Sequence, residues 1–471
     1  MVTTFVRARN LGLATAGAVS GLVGGFAIGG AGPVASATPA TQVPCAVNGP
    51  TGLIAAIDNA NTAGGGTLDL ARGCTYTLTA VDNPTDGGNG LPVLEKAITM
   101  TGSGGTKIVR SSAPSTPGFR ILEVAEGATV TLTGLAISGG QAAGDGSQGG
   151  GIDNEGTIAN LSNDTISDNS AAIGGGLFNN GTVTTLNGDS ILGNAGSGSG
   201  GGVANLGTIT AFDFDTVSDN TGGAGAGILT GGTITALDYS IISHNRLSAN
   251  GAGGGIANNF GTLHMTSDTI SDNAATAGPQ PSGGGIDNSG VLTLANRSVT
   301  GNVATGVGGG LRNEDGAEDF VVTATVIKAN TVTSPAGPAT GGGVYNGGDA
   351  PLSLTNSVVV SNRATTSTGR AVAGGLYNAG SLTLTNTGVG TNVVSDPGGE
   401  AEGGGLYVDE GSTKTALVGS TVVGNRAVGA QPHGGGIFYS AGAAVSLTGT
   451  VVSANRPDNC FPTGSVAGCS G

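Results

Sequence analysis

From Gly149 onward, apolar and polar positions alternate in short runs that recur every 25 to 33 residues. Each unit opens on glycines and continues as apolar-x-Asn. It then passes through Gly-Thr-Ile-Thr or a near relative and closes on a second asparagine. Aligned on the third glycine, the units fall at Gly151, Gly176, Gly202, Gly227, Gly255, Gly285, Gly310, Gly343, Gly375, Gly405 and Gly436. Three residues before each closing asparagine stands Ile or Val, from Ile166 and Ile191 to Val422 and Val452. Such a β-branched column favours strand, and period-two alternation points the Ile of Gly-Thr-Ile-Thr inward and both threonines outward. Helix is opposed by the glycines throughout.

A unit of two or three short strands cannot bury its own apolar side, so it must stack on the next unit. The expected fold is all-β, a right-handed parallel β-helix (a single-stranded solenoid) of about 13 rungs at a spacing of ~4.8 Å. Asparagine tolerates the left-handed backbone that tight corners need, and stacked asparagines can bond from turn to turn as a ladder. Glycine triads suit another corner, where stacked backbones leave little room for Cβ atoms. Residues 51–61 read as an amphipathic helix ended by the glycines at 64–66, a cap for the open end of the stack. The chain divides as 1–37 signal peptide, 38–92 N-terminal cap and first coil, 93–456 β-helix repeats, and 457–471 C-terminal disulfide cap. The signal-peptide assignment rests on Arg7 and Arg9 before an uncharged stretch, with Ala35-Ser36-Ala37 as a cleavage pattern.

Composition narrows the partners. With 94 glycines and no tryptophan among 471 residues, only the repeat rescues the chain from reading as disordered. A net charge of -15 argues against nucleic acid and anionic membranes. No segment after the signal could span a membrane, and a monomer is expected. The four cysteines fit an oxidising compartment, and sequence proximity favours Cys45 with Cys74 and Cys460 with Cys469 among three possible pairings.

Two residue columns are candidate sites. Asp164, Asp189 and Asp215 each lie five before a closing asparagine; on a solvated strip they would repel, and a calcium ion could relieve that. A plain acidic strip is the alternative. Tyr345, Tyr377, Tyr407 and Phe438 occupy the x of successive apolar-x-Asn units, a strip that could stack on the sugar rings of a glycan or simply stabilise the sheet. No catalytic residue is assigned, because no polar cluster visibly breaks the repeat. Thr208, Thr210, Thr233 and Thr235 form part of an outward threonine array of the kind an ice-binding surface would need.

The helix followed by GGGTLDLARGCTYTL, GLPVLEKAITMTGSG and FRILEVAEGATVTLTGLAISGG resembles the opening of pectin-lyase-like right-handed parallel β-helix proteins. The Gly-Gly-Gly-Ile-x-Asn units are similar to the repeats of polymorphic outer membrane proteins. That resemblance implies the same fold and an extracellular polysaccharide or cell-surface ligand. Its surface-protein members carry a translocating barrel or sorting signal, and none is seen after Cys469. The expected role is a secreted or cell-surface, non-catalytic, adhesin-like or glycan-binding protein that requires no cofactor. A polysaccharide lyase or hydrolase is the alternative and predicts a concave groove beside the insertions at 330–343 and 362–375; an ice-binding solenoid is the third.

Overall fold

Parallel strands stack turn upon turn along the chain. The computed structural model describes residues 39–45, 50–84, 87–314, 316–335, 337–347, 351–464 and 466–469, and the expected signal peptide lies outside them. The fold is a parallel β-helix of about 14 turns with a single helix among the described residues, as the repeat predicts. That helix, Thr51–Ala63, buries Leu53 and Ile57 and ends at Gly64, whose φ of 84° closes a left-handed cap. No helix among the described residues is long and apolar enough to cross a membrane.

A regular turn contributes to three sheets. Ile152–Asn154 belongs to a 13-stranded third sheet, Thr157–Ser162 and Thr165–Ser167 to a 27-stranded first sheet, and Ser170–Ile173 to a 12-stranded second sheet. Register is kept residue for residue: Ile166 pairs with Ile191, and Ile191 with Val217. These side chains are fully buried, and so are their partners from the other sheets, including Ile152, Ile158 and Leu161. One continuous apolar core results, with each fully buried Ile, Leu or Val contributing ~1.5–3 kcal/mol.

The asparagine ladder is present. The backbone N–H and the Nδ2 of Asn169 both donate to Asn194 Oδ1, at 3.0 and 3.1 Å, and the same step repeats to Asn455. The left-handed residue, however, is the one before each asparagine: Asp168, Asp219, His244 and Asp272 have φ near 55–58°. Asparagine is needed inside, where its amide satisfies buried backbone groups, so its neighbour makes the corner. A second ladder that the pattern contained but did not announce runs through Asn154, Asn179 and Asn205. At the glycine corner a Cβ on Gly202 would lie 2.6 Å from the Gly227 carbonyl oxygen of the next turn.

Both expected disulfides form, Cys45–Cys74 and Cys460–Cys469.

Candidate active site

The aspartate column does not lie on a solvated strip. Asp164, Asp189 and Asp215 are each 1% exposed and point into the stack. Asp164 Oδ1 accepts the Leu135 N–H at 2.6 Å, Asp189 Oδ1 accepts that of Asp164 at 2.7 Å, and Asp215 Oδ1 that of Asp189 at 2.6 Å. Burial pushes their carboxyls up to about 8, 7 and 8 respectively. With the carboxyls inside the stack and their oxygens accepting backbone N–H bonds, the solvated acidic strip for which calcium was expected is not formed. Among the described residues no group of three or more His, Cys, Asp or Glu could hold a metal ion. The same column continues as Ser240, Asp268, Arg297, Thr325 and Ser357, where hydroxyls take over the acceptor role and Arg297 forms a fully buried ion pair with Asp268.

The x column of the third sheet is chemically richer. In register it reads Glu123, Asp153, Phe178, Ala204, Leu229, Ala257, Asp287, Arg312, Tyr345, Tyr377, Tyr407, Phe438 and Phe461. Although it faces outward, Phe178, Ala204, Leu229 and Ala257 are buried. In the later turns the extended second-sheet strands Val393–Glu402 and Arg426–His433 pair beside the ladder, and Val372 and Ala373 pack against Tyr407, Tyr377 and Phe438. The four aromatic residues singled out by sequence do come together. Ring centroids are 4.8 Å apart for Tyr345–Tyr377, 5.5 Å for Tyr377–Tyr407 and 4.9 Å for Tyr407–Phe438, with planes within 8° of parallel.

That geometry corrects the expected mode of binding. Each ring spends its faces on its neighbours, and Tyr407 is only 3% exposed, so the rings offer edges and phenol oxygens rather than stacking platforms. Between the ladder and the second-sheet strands lie two cavities that share Val307, Pro338 and Tyr345, of about 540 and 310 Å³. Together they form a groove beside the insertions, where the enzymatic alternative places one.

Arg312, Arg370 and Asp409, which the sequence did not flag, line this groove, and further carboxyls hold the two arginines. The Tyr377 hydroxyl donates to Asp409 Oδ2. Arg370 Nη2 donates to the Tyr407 oxygen at 3.0 Å, its Nε to Glu402 at 2.7 Å, and its guanidinium sits 5.3 Å over the Tyr407 ring. One turn or more away, Arg312 bridges Asp287 at 3.0 Å and Glu314. Burial raises the Glu402 carboxyl, although Arg370 draws it back. Burial and the adjacent Asp409 raise the Tyr377 hydroxyl. Burial likewise lifts Asp287 against the pull of Arg312. The arrangement supplies a buried carboxyl paired with a fixed cation, and a second carboxyl hydrogen-bonded to a phenol, groups of the type that acid–base chemistry on a sugar requires.

The signal for part of this was available. Asp287 and Arg312 directly precede Tyr345 in the same x column, so reading the column upstream finds them. Arg370 and Glu402 lie in insertions outside the repeat and have no column to betray them.

No protein-family model and no curated protein sequence matches the chain. Among solved structures it is similar to the catalytic domain of a GH87 alpha-1,3-glucanase captured with tetrasaccharides, at 13% identity and a TM-score of 0.33, covering 90% of this chain and 71% of that one. It is also similar to the A-modules of two mannuronan C-5 epimerases of Azotobacter vinelandii, AlgE4 (14% identity, TM-score 0.27, 86% and 91% covered) and AlgE6 (16%, 0.30, 85% and 94%). None of these supports the likeness to polymorphic outer membrane protein repeats. By their names the three are enzymes of polysaccharides, and likeness at this level carries no activity over. The expectation of a non-catalytic, adhesin-like protein is nevertheless corrected: it rested on the lack of a polar cluster breaking the repeat, and the groove contains one.

Proposed function

We propose that this chain is a polysaccharide-active enzyme of the pectin-lyase-like kind, a hydrolase or lyase working at the groove beside the tyrosine ladder. The observation that carries the reading is that Arg370, bonded to Tyr407 and held by Glu402, lines one cleft together with the Tyr377–Asp409 hydrogen bond. Polar side chains that break an otherwise uniform repeat mark sites kept for chemistry rather than for the fold. A cleft running across several turns suits an extended polymer better than a compact metabolite. Two disulfides agree with action outside a reducing compartment.

The test is turnover. The purified chain is incubated with neutral, acidic and amino-sugar polysaccharides, and new reducing ends and unsaturated products are followed together. Activity is expected on at least one polymer. It should fall ~100-fold or more in Glu402→Gln and Asp409→Asn, with circular dichroism unchanged. Absence of product from every polymer, or activity indifferent to both substitutions, refutes the proposal.

A further inference from the structure

We infer that Phe214 and Tyr239, outside the groove, form a second contact site for the polysaccharide that takes sugar rings by their C–H faces; the choice of ligand rests on the polysaccharide-active reading above. Each lies at the corner between the two first-sheet strands of its turn, directly before the buried Asp215 or Ser240. This corner is left-handed in turn after turn, and elsewhere it holds Asn, Gly or a small side chain, as at Asn163, Gly188, Ser267 and Asn296. Phe214 and Tyr239 adopt the same backbone, with φ of 60° and 55°, although bulky side chains are strained there. They are also 62% and 59% exposed. Neither the corner nor the core calls for an aromatic ring at these positions, and strain kept at an exposed site points to binding.

The two rings lie 5.1 Å apart and 8° from parallel, so each covers one face of the other. Their outer faces stay open. On the Phe214 side the neighbouring turn has Gly188, where even an added Cβ would meet only Asn163 within 4 Å. On the Tyr239 side it has Ser267, too small to cover a ring. The tyrosine ladder differs, because Tyr377 and Tyr407 are each stacked on both sides. Hydrogen-bonding groups border the pair: Asn187, Asp213, Asp238 and Thr266 stand in register at the strand ends beside it. Among the described residues neither of these carboxyls is hydrogen-bonded, so both are available to sugar hydroxyls. An apolar face edged by acceptors complements a pyranose, whose C–H face is apolar and whose rim carries hydroxyls.

The size of the patch selects a sugar over a protein partner. At ~150–250 Å² per aromatic side chain, the two rings expose roughly 200–300 Å². Even with the neighbouring Ile241, 45% exposed, the patch stays well short of the ~800 Å² that each side of a stable protein interface covers. One or two sugar units of a polymer fit it, and a chain held there is kept beside the solenoid without occupying the groove.

Affinity electrophoresis tests the site, in gels containing a soluble neutral glucan, polygalacturonate or chitosan, with Phe214→Asn/Tyr239→Asn as the variant. Asparagine is what the same corner carries at Asn163, Asn296 and Asn386, so the change relieves the backbone. At least one polymer should retard wild type. The double variant should lose that retention at least ten-fold, while its thermal midpoint stays level or rises. Tyr239→Phe, which keeps the ring, should bind within two-fold of wild type. Retention that the double variant preserves overturns the inference, as does retention by no polymer, or a lowered midpoint, which would make the stack a structural element. Retention lost in Val307→Trp, which fills the groove, but kept in the double variant would sink the inference and leave the enzymatic reading standing. Retention that depends on the pair, without new reducing ends or unsaturated products from any polymer, would do the reverse.

Discussion

The aspartate column makes a testable demand on pH. Asp164, Asp189 and Asp215 keep their protons to about pH 8, 7 and 8 because burial disfavours the charged form. In the unfolded chain they ionise near pH 4. Folded values above unfolded ones mean that the stability these groups support is complete below pH 4. It is lost progressively as pH rises toward 7–8, and beyond that the loss levels off. At ~1.4 kcal/mol per pH unit, each group gives up about 4 kcal/mol between pH 4 and pH 7.

The perturbation is to replace all three by serine. The fold itself endorses the change: at the next position of the column, Ser240 Oγ accepts the Asp215 N–H at 3.0 Å and donates to the Asp238 carbonyl at 3.1 Å. Serine therefore keeps the acceptor for the neighbouring turn's N–H, gives up the second bonds that Asp164 and Asp189 accept from Ser162 and Asn187, and removes the titration. Thermal unfolding followed by circular dichroism from pH 5 to pH 8.5 reads the difference. The wild-type midpoint should fall by roughly 10 °C or more across that span, and that of the triple variant by a small fraction of it. The two curves should cross, with the variant the more stable at pH 8. Curves that run parallel would refute the argument, since the carboxyls would then be ionised in the folded state as they are in the unfolded one.

Other parts of the molecule give sharper single-site outcomes. Asn245→Ala removes the oxygen that accepts both the Asn220 N–H (3.1 Å) and its Nδ2 (3.0 Å), and should cost roughly 2–4 kcal/mol in chemical denaturation. Gly202→Ala drives a Cβ to 2.6 Å from the Gly227 oxygen and 3.0 Å from Asn220 Nδ2, so soluble yield and midpoint should both drop, where Gly105→Ala, with open space around its Cβ but a left-handed φ of 84°, should cost about 1 kcal/mol. Asp268→Ser alone strands the buried Arg297 and should cost about 3–5 kcal/mol, whereas Asp268→Ser with Arg297→Thr, which restores the hydroxyl column, should be neutral or stabilising in the same assay. Reducing Cys45–Cys74 should destabilise the N-terminal cap by ~2–4 kcal/mol, seen as early proteolysis near the helix.

The fold was legible because its causes are local and repeated. A β-branched column with fixed spacing leaves one solution, and Ile166 to Val452 occupy it. Two of the corrections come from treating residue statistics as positions. Asparagine's tolerance of left-handed backbone suggested that it makes the corner, yet its amide is worth more inside, where Asn194 satisfies the N–H of Asn169. The aspartates were placed outside as charged residues, although Asp164 lies two before the buried Ile166 and so shares its inward parity. The pattern held that answer, and charge obscured it. Arg370 and Glu402 were hidden for a different reason. They meet across turns, through insertions whose length varies, and no period in the sequence records such a meeting.

That distinction accounts for where chemistry can reside in this stack. After Glu123 and Asp153, which pair with Arg120, the x column passes through Phe178, Ala204, Leu229 and Ala257, which form one buried apolar cluster. From Asp287 onward the insertions lengthen, the second-sheet strands extend, and the same column changes to Asp287, Arg312 and the tyrosines. A longer wall alone would be a surface loop, and an aromatic ladder alone would be a stabilised sheet. Occurring in the same turns, they make a cleft whose floor is polar, and the side chains that close it, Arg370 and Glu402, come from the wall itself. The repeat thus fixes the scaffold, and the site arises where the repeat is interrupted.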